Sequence, residues 1–82
     1  MTSFLVESYT STPTALGEIK ARARLASAEL ERKGTRIRYV RSILIPGDEI
    51  CLHLFQAPSA EAVREVSERA GFSAQRIVEA VE

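Results

Sequence analysis

The chain predicts an α+β domain of the ferredoxin-like type, β-α-β-β-α-β, from three observations. Two segments carry apolar residues at helical spacing, and each ends at a glycine. Four short segments are rich in β-branched and aromatic residues and alternate as strands do. The middle two of these are joined only by Pro46-Gly47-Asp48, a hairpin signal. Right-handed crossovers then give a four-stranded antiparallel sheet of order 4-1-3-2, with both helices on one face.

The first strand runs from Phe4 to Tyr9, and Thr10-Ser11-Thr12-Pro13-Thr14 breaks it. Thr12 or Thr14 can cap the following helix, with Pro13 in its first turn. Leu16, Ile19, Ala23, Ala26 and Leu30 form that helix's apolar stripe, and Gly34 ends it behind Arg32-Lys33. Residues 36–45 make the second strand and 49–57 the third. Ser59 caps the second helix, striped by Val63, Val66 and Ala70 and stopped by Gly71. Ile77–Val81 is the last strand, and one domain spans residues 1–82.

Eleven basic and eleven acidic residues cancel. That argues against the broad positive field of a nucleic-acid binder, and the third strand lacks the aromatic signature of an RNA-binding sheet. No stretch approaches the about 18 apolar residues of a membrane span, and the N-terminus lacks a signal-peptide pattern. A single cysteine, Cys51, cannot form an internal disulfide, which fits a reducing, cytoplasmic setting. A chain of this size buries little more than about 60% of its unfolded surface, so self-association would help it.

Each strand carries a polar or ionisable residue at a place where an aliphatic one is usual: Glu7, Arg41, His53 and Glu79. Ile50, Leu52 and Leu54 read as the helix-facing set of strand three, which sends Cys51, His53 and Phe55 to the open face. Phe4 and Val6 suit the core, so Leu5, Glu7 and Tyr9 join the open face. A three-residue hairpin turn sets Arg41 opposite His53 and Tyr39 opposite Phe55. A four-residue turn would set Arg41 against Leu54, burying a guanidinium, and is disfavoured on that ground. In strand four Val78 and Ala80 point inward, leaving Ile77 and Glu79 outside. The resulting open face, which also holds Ile43, is too apolar for water and too charged for an ordinary core. It predicts a homodimer packed sheet to sheet around a polar cavity.

Phe4-Leu5-Val6-Glu7-Ser8-Tyr9, Arg38-Tyr39-Val40-Arg41-Ser42 and Pro46-Gly47-Asp48-Glu49 have a family look. So do Ala57-Pro58-Ser59-Ala60-Glu61-Ala62-Val63, Arg69-Ala70-Gly71-Phe72 and Arg76-Ile77-Val78-Glu79-Ala80. Together they resemble a family of small bacterial domains of unknown function, some of whose members are described as nickel-responsive or nickel-binding. The resemblance spans essentially the whole chain. It implies a ferredoxin-like subunit that dimerises through its sheet, with nickel as the one cofactor it brings to mind. Metal-binding members need several imidazole or carboxylate ligands, and this chain has one histidine. The residues themselves call for no cofactor.

Glu7, Tyr9, Tyr39, Arg41 and His53 are the candidate ligand-binding residues. Arg41 offers a rigid donor fork, and His53 can titrate near neutrality. The plainer reading makes Glu7 and Arg41 an ion pair that fixes register, and His53 a satisfied interface residue. A weaker set for metal is His53, Cys51 and Glu7. Three functions follow from the same residues. The first is a homodimeric ligand-binding or interaction module. The second is a small cofactor-free enzyme with His53 or Glu7 as base and Arg41 stabilising negative charge. The third binds nickel or another divalent metal.

Overall fold

A computed structural model describes residues 1–10 and 15–82. The capping roles expected of Thr12, Pro13 and Thr14 lie outside the described residues. The element order is β1 (Thr2–Tyr9), α1 (Leu16–Arg32), β2 (Arg38–Ile45), β3 (Ile50–Ala57), α2 (Ala60–Ala70) and β4 (Ala74–Ala80). The sheet runs β2-β3-β1-β4 with every neighbouring pair antiparallel, which is the order 4-1-3-2 read from the other edge.

Local chemistry explains both helices. Ile19, Ala23, Ala26 and Leu30 of α1 are buried, as are Val63, Val66 and Ala70 of α2, so each stripe lies on the sheet. Ser59 caps α2 by accepting a hydrogen bond from the Ala62 N–H at 3.2 Å. Gly71 stops it at φ 79°, a left-handed conformation that side chains resist. There the Phe72 N–H reaches back to the Ser67 carbonyl at 2.9 Å, closing a Schellman turn. That turn aims the Phe72 ring at the sheet.

The hairpin between β2 and β3 differs from the expected one. Ile45 pairs with Ile50, so the turn has four residues, and Pro46–Asp48 coil into a 3-10 turn. Glu49 closes it with a positive φ of 55°. The register also shifts between Tyr39 and Arg41. The four-residue turn sets Ser42 opposite His53 and Arg41 opposite Leu54, and the bulge beyond them brings Tyr39 opposite Phe55.

Paired residues in an antiparallel ladder share a sheet face, so the pairings assign every strand. Phe4, Val6 and Ser8 pair with Phe55, His53 and Cys51, and all six are buried under the helices. Leu5 and Glu7 pair with Leu54 and Leu52 on the open face. Strand three is therefore in the opposite phase to the expected one. Its helix-facing residues are Cys51, His53 and Phe55, while Ile50, Leu52 and Leu54 face away. Ile77 pairs with Val6 and packs on the core, whereas Val78 pairs with Leu5 and Ala80 with Ser3 on the open side. The expected inward placement of Val78 and Ala80 is reversed with them. Glu79 pairs with Phe4 and stays exposed at the sheet edge rather than on the open face.

The core holds Phe4, Val6, Leu30, Ile37, Phe55, Val63 and Val66, closed by Tyr39, Phe72 and Ile77. Leu30 is 1% exposed and Leu25, on the same helix, 64%. Leu30→Ala should cost about 3 kcal/mol by denaturant unfolding, and Leu25→Ala less than about 0.5 kcal/mol.

Candidate functional site

The residues expected to form one site divide between the two faces of the sheet. Glu7, Tyr9 and Arg41 are on the open face; Tyr39, Cys51 and His53 are on the helix side. Glu7 and Arg41 do not meet. They sit on strands separated by β3, two strand spacings or about 10 Å apart across the sheet. Arg41 instead approaches Glu82, with Nη2 3.9 Å from Oε2, and Glu82 also accepts from the Ser3 hydroxyl at 3.3 Å. Arg41 stands opposite Leu54, which is 8% exposed although it points away from the helices. Glu7 has Arg76 as its neighbour on β4. Tyr9 projects at the sheet's end, 60% exposed.

Beneath the helices His53 organises a polar string in an apolar core. Its ring is fully buried. An imidazole there must have both nitrogens engaged, and both are: the Ser8 Oγ lies 2.9 Å from Nε2, and the Ser42 Oγ 2.8 Å from Nδ1. The Tyr39 hydroxyl lies 2.6 Å from the Ser42 Oγ. Ser8 donates to the Cys51 carbonyl at 3.4 Å. Its single proton being used there, Ser8 accepts from an Nε2–H. With Ser8 so oriented, the consistent set of donors is the Nε2–H tautomer, Ser42 donating to Nδ1 and Tyr39 to Ser42. Phe72 lies flat on the imidazole, centroids 4.1 Å apart at 6°. The Arg22 guanidinium sits over the Phe72 ring at 5.8 Å.

Burial, and after it the charge of Arg22, pushes the His53 pKa down from 6.5 to about 4. The ring is neutral at pH 7. Burial raises the Cys51 thiol, partly offset by Lys20, so that thiol stays protonated and unreactive. The Cys51 sulfur lies 4.0 Å from His53 Nδ1. Glu7, the third member of the weak metal set, is on the other side of the sheet. Among the described residues no three of the types His, Cys, Asp and Glu come together as metal ligands.

The family model described as "Nickel responsive protein SCO4226-like" matches residues 4–80, nearly the whole chain. The chain belongs to this SCO4226-like family. A similar solved structure is that of SCO4226 from Streptomyces coelicolor A3(2), with a TM-score of 0.72 and 26% identity. The alignment covers 98% of this chain and 96% of that one, so the two share the fold from end to end. No curated protein matches the sequence. No helix is long and apolar enough to cross a membrane among the described residues.

Ser8 and Ser42 are site residues that the sequence reading lacks: Ser42 lies directly opposite His53, and Ser8 lies diagonal to it, opposite Cys51. A small hydroxyl at core parity on each strand beside a histidine is a signal available in sequence once the pairing is known.

His53 binds its proton more weakly folded than unfolded. As pH falls, the unfolded chain protonates first, from about 6.5, and the native ring only near 4. Stability is full above that window and declines through it, by about 3 kcal/mol in all. Denaturant unfolding of wild type and His53→Gln between pH 7 and 4 should show a smaller decline in the variant.

Proposed function

We propose that this protein is a homodimeric interaction module whose subunits associate through the open face of the sheet. The supporting observation is that face itself. It carries Leu5, Ile43, Ile45, Leu52, Leu54 and Val78, with Ile43 49% and Ile45 38% exposed. A second sheet laid across these residues would bury them, as in aligned sheet packing. Glu7, Tyr9 and Arg41 would then lie at that interface, and a polar cavity for a small ligand would close only when two copies meet.

A catalytic site that combines Arg41 with His53 finds no support, because the two are on opposite faces. Glu7 as base is likewise two strands from Arg41. Nickel, named in the family's description, does not fit the expected donors. Both ring nitrogens of His53 are engaged, Cys51 is a buried thiol, and Glu7 lies across the sheet. His53→Gln should therefore leave nickel affinity, measured by calorimetry, unchanged within about twofold; a tenfold loss would return His53 to the ligand set.

Sedimentation equilibrium tests the association. Wild type should run as a dimer, and Ile43→Glu as a monomer whose secondary structure is unchanged. A monomeric wild type at high micromolar concentration would overturn the proposal.

A further inference from the structure

On the other side of the sheet, a cavity of ≈ 180 Å³ opens between the end of β1, the start of α1 and the turn after α2. Ser8, Glu18, Arg22, Gly71, Phe72 and Ser73 are among its lining residues. Three features make it more than a surface dent. Its lining includes Ser8, a residue 5% exposed and held in place by His53. Arg22 is laid over the Phe72 ring, and among the described residues it has no ion-pair partner. Gly71 lacks the Cβ that would come within 3.3 Å of Arg22 Nη1, so the guanidinium can sit close above the turn.

We propose that this cavity binds a compact monocarboxylate, with Arg22 pairing to the carboxylate. A guanidinium presents parallel N–H donors that match a carboxylate in a way an ammonium cannot. Glu18, four residues before Arg22, supplies the selectivity. Its negative charge tolerates one compensated anionic group and opposes a second, so a dianion such as phosphate is disfavoured. This site stands or falls independently of association through the open face.

His53 is the chain's single histidine and contacts Ser8 and Phe72, so its ring resonances report on the cavity. Sodium acetate titrated at pH 7 against sodium chloride of equal ionic strength should shift the His53 ring and the Gly71 to Ser73 amides saturably. Arg22→Gln should weaken acetate at least tenfold, and inorganic phosphate should bind more weakly than acetate to wild type. Glu18→Gln should narrow that difference. Linear shifts equal to those in chloride, an Arg22→Gln variant that binds acetate as wild type does, or phosphate binding as tightly as acetate would each overturn the proposal. Both substitutions are at exposed helix positions, and an unchanged circular dichroism spectrum checks folding.

Discussion

An imidazole carries two polar nitrogens, and placing it in a core leaves each needing a partner. An unsatisfied buried polar group costs about 1–3 kcal/mol, comparable with a large part of a small domain's net stability. Here Ser8 on β1 and Ser42 on β2 supply those partners from the strands on either side of His53. Both hydrogen bonds require β1, β2 and β3 to be in register to within one residue. The sheet's phase and the imidazole's satisfaction are thus one constraint. Phe72 completes it by covering the ring from the turn that Gly71 permits.

From that constraint follows the division of labour between the faces. With His53 and its serines inward, strand three must turn Leu52 and Leu54 outward, and the open face becomes more apolar than an alternating pattern would allow. The charges there sit beside opposite charges: Arg41, on the edge strand β2, with Glu82, and Glu7, on the internal strand β1, beside Arg76. The helix side, in contrast, keeps a polar seam in its core and a small charged cavity at its rim.

Much of this fold was legible in the sequence. The element order, both helical stripes, Ser59 as cap and the glycines at 34 and 71 all follow from local chemistry, and local chemistry decided them. Strand three was not legible in the same way. Ile50 to Phe55 is apolar at both parities except for His53, so alternation has no preferred phase there. Two further residues carry a signal: Gln56 shares parity with Leu54, and Ala57 with Phe55, which favours the observed phase. The β2 bulge beside Val40 has no sequence signature at all. The four-residue turn moves Arg41 out of line with His53, and the bulge returns Tyr39 to its place opposite Phe55. Glu7, Tyr9 and Arg41 lie on the open face that alternation predicts for them, but their expected companions His53 and Tyr39 are on the other. Errors of parity move whole strands, whereas errors of propensity move only ends.

The most direct measurement is the titration of His53 by nitrogen-15 NMR, reading tautomer and protonation together. A ring held between Ser8 and Ser42 should remain the Nε2–H tautomer from pH 8 to 5 and take up a proton only near pH 4. An imidazole titrating near 6.5 with mixed tautomers would show that His53 is on a solvated face, and the assignment of the whole sheet would fail with it.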